Sequence, residues 1–188
     1  MDEYTLSYYK ALNQEETPQA FALGQKIIDL YHPQSVSDLG CATGLYLAPF
    51  LLTSGIKGYD FSRSAFDDEV RMVDKSNLQL ADLRDPLFDP PKTEISLCFE
   101  VVEHIGSEYA EILMDNIAKT SNIVIMTSCP PGQAGLNHVN CQPQEYWQKK
   151  FEARGYHRDY HDEYQLVFAV SLVPHTVWMI RNLMVFKR

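Results

Sequence analysis

The stretch VSDLGCATGLYLAPFL, residues 36–51, places a turn with two glycines between two apolar segments. The segment before the turn predicts a buried strand, and the segment after it predicts a helix. Gly40 and Gly44 let the backbone bend and approach a ligand without an intervening side chain. A dinucleotide-binding turn has the spacing G-x-G-x-x-G, whereas Ala42 occupies the middle position here. The turn therefore indicates a ligand other than a pyrophosphate, with an anionic group near the N-terminus of the predicted helix.

Strand patterns and helix patterns alternate along the chain, and no internal repeat is visible. Such alternation predicts one parallel sheet with helices on both faces. The predicted strands are residues 35–39, 56–61, 77–83, 94–102 and 121–128, with a short strand at 156–160 and a final strand at 178–188. The predicted helices are residues 17–31, 44–55, 63–73, 107–120, 144–156 and 162–173, and the last of these also fits a strand. We expect residues 1–188 to form a single domain.

Polar residues mark the expected starts of three helices. Thr17 followed by Pro18 has the pattern of an N-cap and first helical position. Ser62 and Ser107 are the expected N-caps of two later helices.

The composition excludes several classes of protein. A net charge of -9 and a pI near 5.0 oppose broad contact with nucleic acid. No apolar run approaches the length of about 20 residues that spans a bilayer, and the acidic, aromatic N-terminus does not resemble a secretion signal. The four cysteines are scattered without a C-x-x-C pair, which predicts a reduced, cytoplasmic protein.

Three acidic residues end predicted strands at the edge where a doubly wound sheet binds its ligands. Asp60 follows the glycine turn by about 20 residues, where an acid accepts hydrogen bonds from ribose hydroxyls. Asp82 ends the third strand and is placed to accept from an adenine amino group, and Glu100 ends the fourth. A single acid at a strand end is often only a helix cap or a solvated loop residue. Three acids in register with one glycine turn predict a nucleoside-binding site.

These segments resemble the successive cofactor motifs of class I S-adenosylmethionine-dependent methyltransferases, over roughly residues 35–128. The matching motifs are VSDLGCATGLYLAPFL, GYDFS, ADLRDP and CFEVVEHI. The resemblance implies a Rossmann-like α/β fold of three layers, with a seven-stranded sheet that is mostly parallel and has an antiparallel last strand. It also implies S-adenosyl-L-methionine as cofactor and S-adenosyl-L-homocysteine as product. The family's turn is G-x-G-x-G, and Ala42 departs from it with a side chain small enough to be tolerated.

The resemblance also implies which residues contact the cofactor. Asp60 would hold the ribose, Asp82 would face the edge of the adenine, and Glu100 would lie beneath the sulfonium. Cys41 would fill space, since no base that would activate its thiol is apparent beside it. The implied cofactor-binding residues are Asp38, Gly40, Cys41, Ala42, Gly44, Asp60, Phe61, Ser62, Asp82, Leu83 and Glu100.

The two ends of the chain bear on the acceptor. The segments HVNCQPQEYWQKKFEARGY and RNLMVF are similar to small methyltransferases of glycan and lipopolysaccharide assembly. This resemblance implies O-methylation of a small hydroxylated acceptor, such as a sugar or glycan end. Residues 129–147 are the expected acceptor loop. Residues 1–32 are expected to form an N-terminal lid or helix, in which Tyr4, Tyr8 and Tyr9 lie over the cofactor or pack on the sheet.

Methylation of a hydroxyl calls for a group that removes its proton. His104, after the fourth strand, and His138, in the long loop after the fifth, are expected to converge on one rim, with Glu100 as a further candidate. Each histidine also has a plainer interpretation as a cap or a solvated loop residue. Glu103 and Asn140 would join these three residues in a site for a divalent cation. No tight pair of acids appears where metal-dependent relatives have one, so no metal is expected.

Two other classes of function stay open from the sequence. The first alternative is a catalytically silent, methyltransferase-like subunit that activates a partner. The second is a nucleotide-dependent oxidoreductase. The presence of all three strand-end acids opposes the first alternative. The missing middle glycine opposes the second.

Overall fold

A seven-stranded sheet forms the centre of the molecule, seen in a computed structural model that describes residues 4–86, 88–133, 135–174 and 176–188. Its order is β3-β2-β1-β4-β5-β7-β6. β7 runs antiparallel to β5 and β6, and the other neighbouring strands pair in parallel, as the resemblance implied. The strands are β1 Ser35–Leu39, β2 Gly55–Asp60, β3 Leu78–Leu80, β4 Ile95–Cys98, β5 Ile123–Met126, β6 His157–Arg158 and β7 Met184–Lys187.

Helices cover both faces of the sheet and complete a three-layer α/β fold. The five α-helices are α1 Leu6–Tyr31, α2 Ala110–Thr120, α3 Gln144–Glu152, α4 Tyr160–Ser171 and α5 Val177–Asn182. α1, α4 and α5 pack on one face, and α2 and α3 on the other. Each face of the sheet packs against its helices in a separate hydrophobic core, and strand side chains point alternately into the two cores. Val36 lies in the first core and Leu39 in the second. The central strands are therefore buried on both sides, which explains their nearly continuous apolar sequence.

The first helix differs from its prediction. α1 begins eleven residues before Thr17, with Thr5 as its N-cap, and Pro18 lies inside it. The Thr17 hydroxyl donates to the Asn13 carbonyl at 2.5 Å, one turn earlier, so it acts within the helix and caps nothing. The tertiary contacts of α1 with α4 and with the segment after the glycine turn outweigh the local signal of Thr-Pro.

Two other predicted helices are only short 3₁₀ segments. The segment after the glycine turn forms a 3₁₀ helix over Leu45–Phe50, with Pro49 inside it. Ser64–Phe66 is the only helical part of the segment predicted at 63–73, and Ser62 does not cap it. A further 3₁₀ turn, Ser107–Tyr109, precedes α2, so the predicted cap at Ser107 is also wrong.

The C-terminal region agrees with prediction more closely. α3 and α4 occupy the predicted positions, and Gly155 follows α3 with a φ of 81°. The predicted final strand is instead α5 followed by β7. Within the described residues, no helix is both long and apolar enough to cross a membrane.

Candidate functional site

A cavity of about 850 Å³ opens where β1, β2, β3 and β4 end. Parallel pairing brings these four strand ends to one edge, which is the usual ligand position in an open α/β sheet. Gly44 is the one predicted site residue that does not line the cavity; a side chain there would collide with Val73. The predicted residues that do line it are Asp38, Gly40, Cys41, Ala42, Asp60, Phe61, Ser62, Asp82, Leu83, Glu100, His104 and His138.

The glycine turn forms one wall of the cavity. Gly40, Ala42 and Gly44 have φ values of 82°, 45° and 79°, all in the left-handed region. Ala42 thus takes a conformation that favours glycine, at the position where the family has glycine. The turn leads into a six-residue 3₁₀ helix rather than an α-helix. The expected anion site at an α-helix N-terminus is therefore not formed.

The Asp60 carboxylate holds this turn against the end of β2. One oxygen accepts from the Ala42 amide and the other from the Ser62 amide, each at 2.8 Å. The Ser62 hydroxyl in turn accepts from the Tyr9 hydroxyl at 2.9 Å, which connects α1 to the site.

Asp38 lies under the turn and is almost fully buried, with 2% of its surface exposed. Burial, together with the negative charge of Asp60, raises the pKa of Asp38 to about 7. Burial in this cavity also raises the pKa of Glu16, on α1, to about 7. Glu16 accepts from the Tyr46 hydroxyl at 3.0 Å. Sequence reasoning missed Glu16 and Tyr46, because only the folded chain brings α1 to this edge.

The far end of the cavity combines an open aromatic ring with a charged pair. Phe61 is 64% exposed although it is a large apolar residue. The Asp82 carboxylate accepts from the Arg84 guanidinium at 2.6 to 3.1 Å, and this bond holds the pKa of Asp82 below its usual range. Leu83 is buried, and its carbonyl accepts from the Asn116 side chain at 2.9 Å. Arg84 is a lining residue that the sequence analysis did not single out.

The N-terminal segment covers part of the cavity. Tyr4, Tyr8 and Tyr9 form a cluster with ring centroids 4.8 to 6.1 Å apart, and all three line the cavity. Tyr9 is also buried in the core below the cavity. The segment therefore both lines the cavity and packs against the body of the protein.

His104 and His138 converge on the opposite rim. Their rings meet edge to face with centroids 4.9 Å apart. Burial, and then the neighbouring His138, lower the pKa of His104. Glu103 lies behind them with 0% of its surface exposed, and burial followed by the charge of Glu100 raises the pKa of Glu103 to about 9. Glu100 has a φ of 52° and donates its amide to the Thr127 hydroxyl at 2.8 Å.

The expected acceptor loop is tied down close to these residues. The amides of Val139 and Asn140 both donate to the Glu103 carbonyl at 2.9 Å. These two bonds hold the segment that carries His138 in place. The last four residues of the expected loop, 144–147, belong to α3, and Trp147 is fully buried there. Trp178 on α5 instead reaches the cavity.

Solved structures share this fold. CalS10, an amino pentose methyltransferase from Micromonospora echinaspora with bound S-adenosylmethionine, aligns over 98% of this chain and 97% of its own, with a TM-score of 0.69 and 11% identity. DesVI from Streptomyces venezuelae aligns over 95% of this chain and 96% of its own, with a TM-score of 0.70 and 14% identity. An O-methyltransferase family protein from Burkholderia thailandensis gives a TM-score of 0.65 at 12% identity over 96% of this chain, which spans 59% of that protein.

No protein-family model matches the sequence, and no protein with a curated function matches it. At identities of 11 to 14%, the similarity to solved structures concerns the fold. The chain has the Rossmann-like fold of the class I S-adenosylmethionine-dependent methyltransferases, as its cofactor motifs implied.

The raised pKa of Asp38 predicts a pH dependence of stability. Its pKa is about 7 in the folded chain and near 3.8 when unfolded. The native state therefore holds this proton more tightly than the unfolded state does. The stability that the bound proton gives to the folded chain is complete below about pH 4 and is lost as the pH rises through 7. Asp38→Asn removes this titration but keeps the shape. Between pH 4 and 8 the wild type should lose stability relative to the variant by on the order of 3 kcal/mol, measured by urea unfolding. Parallel pH curves for the two proteins would contradict the assignment.

Proposed function

We propose that this chain is an S-adenosylmethionine-dependent methyltransferase that methylates a hydroxyl of a small acceptor, most simply a sugar or glycan end. The observation that carries the proposal is the Asp60 carboxylate, which joins the glycine turn to the end of β2 at the floor of the large cavity. In this fold a nucleoside is bound at this edge of the sheet. Here the Asp60 carboxylate and the backbone of the glycine turn lie side by side at that edge.

The cavity is chemically suited to the proposed cofactor. Five carboxyl side chains line it, whereas Arg84 is the one arginine or lysine among the described lining residues. An excess of negative groups favours a ligand that carries positive charge, as the sulfonium and amino groups of S-adenosylmethionine do. The exposed Phe61 ring offers a face for the adenine. The five carboxyl groups belong to Glu16, Asp38, Asp60, Asp82 and Glu100.

When bound, S-adenosylmethionine would supply a methyl carbon activated by a positively charged sulfur, which would leave with the electrons of the carbon–sulfur bond as the acceptor oxygen takes the methyl group. The protein must therefore align the acceptor and take the proton that its hydroxyl loses. His104 and His138 lie on the rim where an acceptor would enter, with Glu100 beside them. We assign the removal of the proton to this group of residues.

Three features support a small hydroxylated acceptor such as a sugar. The net charge of -9 opposes binding of a polyanion. Trp178 lines the cavity and gives an apolar face on which a sugar ring can pack. CalS10, which acts on an amino pentose, shares the fold over nearly its whole length.

Loss of the Asp60 carboxylate tests the cofactor site. Asp60→Ala should weaken binding of S-adenosylmethionine by about 1–3 kcal/mol, since it removes acceptors from the ligand and from two backbone amides. Isothermal titration measures the change, with Asp29→Ala on the exposed side of α1 as the matched control. Unchanged affinity in a folded Asp60→Ala protein would place the nucleoside elsewhere, and no binding by the wild type would favour the silent-subunit alternative.

The acceptor class is tested by transfer of a tritium-labelled methyl group. We expect label on nucleotide-linked or free sugars and on glycan ends, and none on bulk RNA, DNA or protein. Asp60→Ala serves as the negative control for enzyme-dependent transfer. Label on nucleic acid with none on sugars would overturn the proposed acceptor.

The histidine pair is tested by turnover. His138→Ala or His104→Ala should lower turnover by about 10²–10⁴-fold and leave S-adenosylmethionine affinity nearly unchanged, because both residues lie on the acceptor side. The fall of activity toward acid pH should flatten in the affected variant. His161→Ala is the control, because His161 is exposed on α4. If the single and double variants keep wild-type turnover from pH 5 to 9, neither histidine takes part.

A further inference from the structure

The starting observation is a buried carboxyl oxygen that lacks an ordinary hydrogen bond. Glu103 is fully buried. Its Oε1 accepts from the Cys129 amide at 3.3 Å. Oε2 makes no hydrogen bond of standard geometry among the described residues, and the neighbouring Glu100 carboxyl can bond to this group only by sharing a proton. A buried polar atom without a partner costs free energy. Such an atom in a native site calls for a group that binds it.

Two imidazole rings lie in front of this carboxyl group. The ligand-type atoms of Glu103, His104 and His138 all lie within 4.8 Å of one another. The His138 Nδ1 atom is buried and, within the described ranges, also lacks a partner. Three donors bound to one transition metal lie roughly 3–3.5 Å apart, so side-chain rotations of about 1 Å would bring this set into contact with one ion.

The fold holds these three donors together although they come from distant segments. The Glu103 carbonyl accepts from the amides of Val139 and Asn140 at 2.9 Å, which fixes the segment that carries His138. The His104 Nδ1 atom lies 3.3 Å from the Asn137 carbonyl. Donation from Nδ1 to a carbonyl leaves the lone pair on Nε2, which is the usual arrangement of a histidine that binds a metal.

A glycine permits the position of the second ring. A side chain built at Gly135 would lie 2.0 Å from the His138 Cε1 atom. Only glycine at this position lets the imidazole sit where it does. The loop is therefore shaped around the ring of His138.

A second donor set shares His138 with the two thiols of Cys129 and Cys141. These thiols satisfy each other, since the Cys141 thiol donates to the Cys129 sulfur at 3.5 Å. Neither cysteine lines the cavity, whereas both histidines do and Glu103 is buried behind them. An ion on the Glu103 side would keep open positions toward the acceptor, and an ion on the thiols would not.

We propose that Glu103, His104 and His138 bind one divalent transition-metal ion at the acceptor end of the cavity. Two imidazole nitrogens and a carboxylate oxygen suit Mn²⁺, Fe²⁺, Co²⁺ or Zn²⁺ and disfavour Ca²⁺ and Mg²⁺. Glu100 lines the same part of the cavity and is the next available carboxylate. This proposal replaces the expectation of no metal, which rested on the spacing of acids along the chain.

The role of the ion rests on the proposed function, whereas its binding does not. Open positions on the ion would take one or two hydroxyl oxygens of the acceptor. Coordination lowers the pKa of a bound hydroxyl, so the proton leaves to solvent or to Glu100 before the oxygen bonds to the methyl carbon. With the ion bound, His104 and His138 would hold it, and Glu100 would be the member of the group assigned to proton removal that accepts the proton.

The test is a titration of the chelator-treated full chain with Mn²⁺ alone, followed by the electron paramagnetic resonance signal of free Mn²⁺ and by calorimetry. We expect one ion per chain. His104→Ala, His138→Ala and Glu103→Gln should each weaken Mn²⁺ binding at least 10-fold, and Gly135→Val should do so by displacing His138. His161→Ala and Cys141→Ser should bind Mn²⁺ like the wild type.

S-adenosylmethionine binding is measured on the same proteins by calorimetry and should be unchanged in the ligand variants. This arm also reports whether a variant such as Glu103→Gln is folded. Absence of Mn²⁺ binding in a wild type that binds the cofactor would overturn the metal site and leave the proposed function standing. Binding that survives in both histidine variants, or that is lost in Cys141→Ser, would also overturn it.

Discussion

The Asp60 carboxylate is the interaction on which the architecture of the site depends. It accepts from the Ala42 and Ser62 amides and so joins the turn after β1 to the end of β2. Parallel register between these strands, which pairs Leu39 with Tyr59, brings the two turns to the same height. A hydrogen bond from a backbone amide to an ionised carboxylate is stronger than one between neutral groups. The left-handed conformation of Ala42, which carries strain in a residue with a side chain, persists because this bond holds it.

At the acceptor end of the cavity the Glu103 carbonyl joins two segments, as the Asp60 carboxylate joins two turns at the cofactor end. Its two hydrogen bonds hold the loop after β5 beside the turn after β4. These strands are neighbours in the sheet, so the loop has a short path back to the cavity. His104 and His138 consequently meet although 33 residues separate them in the chain. The same contact gives the loop the rigidity that a site for an acceptor or an ion needs.

Carboxyl groups are crowded in this cavity and, with Glu103, behind it, and the crowding and burial raise the pKa values of Asp38, Glu16 and Glu103. Burial alone raises each pKa, and neighbouring carboxylates raise it further. A protein keeps such groups together when ligands compensate for them. A sulfonium at the turn and a metal ion at the rim would each supply positive charge at the place where carboxyl groups are most crowded. The proposed cofactor and the proposed ion would therefore both offset the repulsion among these carboxyl groups.

The sequence by itself determined the order of strands and helices and the positions of the acids at strand ends, because buried strands and glycine turns leave local patterns. VSDLGCATGLYLAPFL and GYDFS were enough to predict the edge of the sheet where Asp38 and Asp60 lie. Local patterns failed where long-range contacts decided the outcome, as in α1, which begins eleven residues before the Thr-Pro signal. Only the tertiary structure decided that Glu16 joins the cavity and that Glu103 is buried behind two histidines. Burial and the meeting of distant segments are properties of packing in three dimensions, and no spacing along the chain encodes them.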